Sequence, residues 1–146
     1  QRLRLTYGLR EAALRRIVAR ATAAIGSTPD IILGMLERRF DTVAYRAGFA
    51  SSRSVARQII SHGHLYVNGR RMTIPSYQIR INDRISIRSQ SREHPLLKEH
   101  SAAAEKYELP VWMARDPEKQ ETRITALPKD ITTPFDINLI IDYYSK

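Results

Sequence analysis

Asn68-Gly69 is the feature that most constrains this chain. The pair accepts positive φ at two successive residues, which a two-residue type I′ hairpin turn requires. Residues of high β-propensity flank it: Leu65-Tyr66-Val67 before, and Arg70-Arg71-Met72-Thr73-Ile74 after. A further β-rich run, Arg84-Ile85-Ser86-Ile87, follows the turn signal Asn82-Asp83. A short helix, Ser52 to Ser61, leads into the hairpin. Ser51 suits its N-cap, Val55 and Ile59 its core side, and Arg53 and Arg57, four apart, share one face. Ser51 to Ile87 therefore reads as a helix and a small sheet under one field of arginines, a surface suited to phosphates.

Charge sharpens that reading. The net charge is +9, which argues for an anionic partner. It is unevenly placed. Residues 1–90 hold 16 Arg, no Lys and five acids, a balance of +11. Residues 91–146 hold eight Lys or Arg and ten acids, a balance of −2. The basic surface belongs to the first 90 residues. A guanidinium forks onto phosphate oxygens and stacks on bases, whereas an ammonium acts as a point charge. Arginine alone thus points to structured RNA or DNA rather than a membrane surface. With no cysteine, disulfides and Cys-based zinc fingers are excluded in this chain. No apolar run approaches the roughly 18 residues of a transmembrane helix. The start, QRLRLTYGLR, lacks both a signal peptide's apolar core and an initiator Met, so preceding residues are expected to have been removed or left out.

The expected class is α+β: N-terminal helices, then a helix-turn-helix-like pair leading into a small, mainly antiparallel sheet, then a C-terminal helix packed on the body. Leu14, Val18, Ala21 and Ile25 set one apolar stripe on a helix from Leu9 to about Ile25, leaving Arg15, Arg16 and Arg20 outward. Thr28-Pro29-Asp30 starts a second helix, whose periodicity runs unbroken through Ile32, Leu36, Phe40, Val43 and Ala47 for about five turns. Tyr77, Ile79 and Ile81 alternate as an extended, half-buried stretch. A helix is expected from His94-Pro95 to about Tyr107, short strands around Leu109–Met113 and Thr122–Thr125, loop over Pro128–Pro134, and a C-terminal helix over Ile137–Tyr144.

Each candidate constellation has a plainer alternative. A basic surface often serves only solubility, but 16 Arg against five acids around one motif favours nucleic acid. Arg53 and Arg57 lie near a helix N-terminus, where free N–H groups add a phosphate site. Asp41 is placed to pair with Arg38 or Arg46. His62-x-His64 has the spacing of a chelate on a strand, yet no third ligand lies nearby, so bonding to backbone or RNA is favoured. Tyr66 and Tyr77 are candidates for base stacking, with core or rim packing as the alternative. Trp112 and Tyr143-Tyr144 read as packing residues. No P-loop, Gly-x-Ser-x-Gly, dinucleotide fingerprint or His-Glu-x-x-His occurs, so the chain reads as a binding protein, not an enzyme.

The ordered run Arg39-Phe40-Asp41, Tyr45-Arg46-Ala47-Gly48-Phe49-Ala50, Ser52-Arg53, Ala56-Arg57-Gln58-Ile59-Ile60-Ser61-His62-Gly63-His64, Val67-Asn68-Gly69, Ile74-Pro75-Ser76-Tyr77 and Asn82-Asp83 resembles the RNA-binding domain named after the fourth protein of the small ribosomal subunit. That domain also occurs in tyrosyl-tRNA synthetases, pseudouridine synthases and a ribosome-rescue factor. The flanks choose among them. Tyr7-Gly8-Leu9 with Glu11, IILGMLERRF over Ile31–Phe40, Pro110-Val111-Trp112-Met113 and the ending Leu139–Lys146 resemble the bacterial ribosomal-protein family itself. Ala12, Ala13 and Phe40 depart from the family's usual residues, and residues 116–134 match loosely. Family members carry a longer N-terminal arm, in some with zinc-binding cysteines.

The resemblance implies a structural role in the small subunit, in the cytoplasm. It implies binding of 16S rRNA at a junction of its 5′ domain, contact with ribosomal proteins five and three, and a place beside the channel through which mRNA enters, affecting decoding accuracy. The expected RNA-binding residues are Arg10, Arg15, Arg16, Arg20, Arg39, Arg46, Ser52, Arg53, Arg57, Gln58, His62, His64, Asn68, Arg70, Arg71, Tyr77 and Arg80. No metal, cofactor or membrane partner is expected. The expected division is residues 1–37 helical, 38–90 RNA-binding, and 91–146 completing the body. The alternatives are the recognition module of an rRNA-modifying enzyme such as a pseudouridine synthase, and a DNA-binding helix-turn-helix protein.

Overall fold

The spacing of Leu14, Val18 and Ala21 builds helix α1, Glu11–Ala23, with those three side chains buried. Arg15, Arg16 and Arg20 are exposed on its other side. The computed structural model describes residues 7–23, 28–97 and 109–128, with Asn138, Ile141 and Tyr143. Two units are present: residues 1–37 with 128–146, and residues 38–127. In the first, helix α2, Thr28–Glu37, buries Ile32 and Leu36 in a cluster with Tyr7, Leu14, Val18 and Ala21. Tyr7 Oη donates to Glu37 Oε1 at 2.6 Å, and both residues are buried. Such charge-assisted bonds are worth about 1.5–3 kcal/mol, and losing the donor leaves a buried carboxylate poorer by one partner. Tyr7→Phe is therefore expected to destabilise this unit by about that amount. Urea denaturation followed by far-UV circular dichroism checks it, and a change below about 0.5 kcal/mol, the range of an ordinary surface substitution, argues against the bond.

The five-turn helix expected from Thr28 to Ala47 is instead two helices. The first stops at Glu37, and helix α3 spans Phe40–Arg46. Arg39 between them is extended, with φ −60° and ψ 139°. Tertiary bonding overrides the periodicity here. Phe40 N–H donates to Tyr77 C=O at 2.9 Å, Asp41 N–H to Pro75 C=O at 3.1 Å, and Ile79 N–H to Arg38 C=O at 2.8 Å. Residues 38–41 thus bond to the 75–79 segment rather than to the preceding turn.

Helix α4, Arg53–Ser61, is capped by Ser52, whose Oγ accepts from Val55 N–H at 3.1 Å. The N-cap is thus one residue beyond the expected Ser51. The hairpin forms as read: β1 (Leu65–Val67) and β2 (Arg70–Arg71) join through Asn68 at φ 53° and Gly69 at φ 78°. β3 is Arg84–Ile87. Of the expected extended stretch, only Gln78 bridges, to Arg39; Ile79 is buried and Ile81 exposed.

Of the last two strands, β5 (Glu121–Ile124) lies one residue from its expected place, whereas β4 (Met113–Asp116) begins at the last residue of the strand expected over Leu109–Met113. They complete a five-stranded sheet of order β2-β1-β3-β5-β4, with all four pairs of neighbouring strands antiparallel. Leu65, Val67, Ile85, Ile124 and Met113 join Phe40, Val43, Ile59, Ile60 and Trp112 in one buried cluster. The architecture is α+β. Residues 95–97 are helical, and the rest of the expected helix to Tyr107 lies outside the described residues. So does most of Pro128–Pro134 and of the C-terminal helix, of which Asn138, Ile141 and Tyr143 are described and helical.

Candidate nucleic-acid interface

The arginines of the sequence reading fall into distinct settings. In the first unit, Arg10, Arg15, Arg16 and Arg20 are exposed. Arg15 makes a helical i,i+4 pair with Glu11 at 3.3 Å, and Arg16 Nε donates to Ala12 C=O. In the second unit, Arg53 and Arg57 of α4 are half-buried while Gln58 is exposed. The Arg53 guanidinium lies 4.7 Å from the centre of the Tyr45 ring. Stacking of that kind holds a cation in place while its edges stay able to donate.

Arg39 differs from the rest. It is 9% exposed and forks onto Asp41, Nε to Oδ1 and Nη2 to Oδ2, both at 3.1 Å. Arg57 Nη1 reaches Asp41 Oδ2 at 3.5 Å, and Thr42 N–H donates to Oδ1 at 2.8 Å. Asp41 is fully buried. Its partners are Arg39 and Arg57, not Arg38 or Arg46. Helical spacing favoured the latter two, but Arg39 sits outside the helix, and Arg57 comes from α4. Arg38 donates through Nε to Ile79 C=O, and Arg46 is half-buried.

At the foot of α4 three imidazoles gather. His64 Nδ1 lies 2.7 Å from Ser91 Oγ, its ring centroid 4.5 Å from that of His94 and 6.3 Å from that of His62. Burial lowers the His64 pKa, and nearby His94, His62, Arg88 and Arg71 lower it further. His62 is exposed, and its C=O accepts from Arg71 Nη2 at 3.3 Å. Gly63 at φ 78° gives that guanidinium its room: a Cβ there would run into Arg71. Among the described residues no three His, Asp or Glu side chains converge to hold a metal ion, and no helix is long and apolar enough to cross a membrane.

The hairpin tip is clamped. Asn68 Nδ2 donates to Asp83 Oδ1 at 2.9 Å, and Asn68 Oδ1 accepts from Arg84 N–H at 2.9 Å. Asp83 Oδ2 in turn accepts from Arg80 N–H at 2.8 Å. Ser52 and Asn68 thus order the backbone that carries the arginines. Arg70, Arg71 and Arg80 are exposed around this corner. Tyr77 is half-buried and packs on the core, whereas Tyr66 stands half-buried on the sheet's outer face. Sequence reading missed the Asp41 network and the Asn68–Asp83 clamp. Asn82-Asp83 was legible as a turn, but nothing local reveals that its carboxylate reaches a hairpin 15 residues away.

Residues 38–85 match the family model of the S4 domain. Over its whole length the chain is 43% identical to small ribosomal subunit protein uS4A of Symbiobacterium thermophilum, spanning 71% of that protein. It is 40% identical to uS4 of Persephonella marina over 99% of this chain and 72% of the relative. It is 38% identical to uS4 of Thermus thermophilus over 100% of this chain and 71% of the relative.

Proposed function

The chain belongs to the family of small ribosomal subunit protein uS4, and from that premise we infer that it is a structural RNA-binding protein of the small subunit, not an enzyme, whose arginines hold a folded region of 16S rRNA. The proposed target is a junction in the 5′ domain. The observation that carries the reading is the concentration of 16 Arg and no Lys in residues 1–90, with Arg10, Arg15, Arg16, Arg20, Arg70, Arg71 and Arg80 exposed. Forked donors at that density neutralise converging phosphates and read shape rather than sequence. Residues 38–90 supply the main recognition surface through the free face of α4 and the clamped hairpin, and the α1 arginines add contacts from the first unit. In the assembled subunit the protein is proposed to neighbour ribosomal proteins five and three and to border the channel through which mRNA enters.

Filter binding of a 5′-domain rRNA transcript tests this. Affinity is expected to fall steeply with salt, because each phosphate contact releases counterions. Arg53→Ala and Arg57→Ala are each expected to weaken binding by about 1–3 kcal/mol. Because Arg57 also supports Asp41, thermal melting of that variant confirms that it folds. Salt-independent binding with no loss in either variant contradicts the reading.

A further inference from the structure

The sheet sets two arginines face to face on its solvent side. Arg84 of β3 lies directly opposite Arg123 of β5, and residues directly opposite in an antiparallel pair project from the same face. Leu65, Val67, Ile85, Ile124 and Met113 fill the inner face, so Arg84, Arg123, Tyr66 and Ser86 occupy the outer one. Both arginines are exposed, and among the described residues neither meets a carboxylate. Like charges directly opposite oppose sheet formation, so the arrangement calls for an anion to offset them.

The backbone beneath both is fixed. Asn68 holds Arg84 on both sides, accepting from its N–H through Oδ1 and donating its own N–H to the Arg84 C=O at 2.8 Å. Arg123 Nη1 donates to Asn82 Oδ1 at 3.3 Å, and Asn82 is itself held at φ 74°. Two residues along the strands the same face turns acidic, with Glu121 opposite Asp116. The Asp116 carboxylate is engaged there by the Glu118 and Lys119 N–H groups. An anion is therefore confined to the corner beside the hairpin tip.

We propose that Arg84 and Arg123 form a two-arginine seat for one backbone phosphate of RNA, on the solvent face of the sheet beside the Asn68-Gly69 tip. The proposal rests on the rRNA-binding reading and deepens it: a single RNA strand leaving the α4 and hairpin surface passes over this corner. Two forks meeting one phosphate hold it by geometry as well as charge.

The test compares the whole chain with the double variant Arg84→Gln/Arg123→Gln and with Arg84→Lys/Arg123→Lys, using the 5′-domain transcript across a salt series. The Gln pair is expected to lose roughly tenfold or more in affinity at low salt and to flatten the slope of log affinity against log salt by about one to two. The Lys pair is expected to restore the slope and only part of the affinity. The Gln pair is expected to melt no lower than wild type, since a like-charge pair has gone. A Gln pair that matches wild type in affinity and slope overturns the seat and leaves an acidic protein neighbour as the partner of this corner. A loss of affinity with an unchanged slope overturns it too. A wild-type chain that binds no transcript overturns the rRNA reading instead, which Arg53→Ala and Arg57→Ala address separately.

Discussion

Asp41→Ala is expected to destabilise the second unit by about 3–5 kcal/mol, the cost of leaving a buried cation without its partner. Asp41 is fully buried and takes five donors: two from Arg39, one from Arg57, the Thr42 N–H and the Thr42 hydroxyl. Arg39, 9% exposed, is forked onto that carboxylate and is left without its counter-charge when the carboxylate is removed. The chain's one tryptophan, Trp112, is buried in the same unit's core, so its fluorescence reports this transition in denaturant. Asp41→Asn keeps one acceptor and is expected to cost less than Ala. Asp41→Ala/Arg39→Met removes both charges and is expected to recover part of the loss, because the stranded guanidinium is gone. A cost of about 1 kcal/mol or less for Asp41→Ala, or no recovery in the double variant, refutes this account.

Asn68→Ala is expected to cost about 2–4 kcal/mol, and Asn68→Gly about 1–2 kcal/mol. Both substitutions remove the bonds to Asp83 and Arg84. Asp83 is 7% exposed, so its carboxylate loses a donor that water does not freely replace. Only Ala adds the strain of a left-handed φ, which is 53° here. The difference between the two variants isolates the backbone term from the hydrogen bonds. Trp112 fluorescence measures both, and amide exchange at Arg84 shows whether the strand end frays. Equal costs for Gly and Ala would remove the backbone term from the explanation, and no cost for either would remove the clamp.

The hairpin was legible because its cause is local. Two residues able to take positive φ sit between two short β-rich runs, and no distant contact is needed to read that. The apolar stripe of α1 was legible for the same kind of reason: Leu14, Val18 and Ala21 sit at spacings that only a helix brings onto one side. On α4 Ile59 is buried as read, while Val55 is half-buried and Ala56 takes the buried place beside it. The break at Arg38–Arg39 was not legible. Its sequence is helix-compatible on both sides, and what ends the helix is the backbone of Pro75 and Tyr77 arriving from about 36 residues away to take the N–H groups of Asp41 and Phe40. The same holds for the candidate site. The excess of arginine over residues 1–90 is a property of composition. That Arg39 is sequestered by Asp41, while Arg84 is set against Arg123, depends on which segments meet.

Charge sign, φ preference and ordered motif are written residue by residue, so the class of partner, the hairpin with its turn, and the family can be read from the chain alone. Which arginines face solvent and which hold the fold depends on contacts between distant segments. An arginine carries the same charge in either role. Whether a carboxylate or the solvent meets it is set by pairings across tens of residues, as between Asp41 and Arg57 or between β3 and β5.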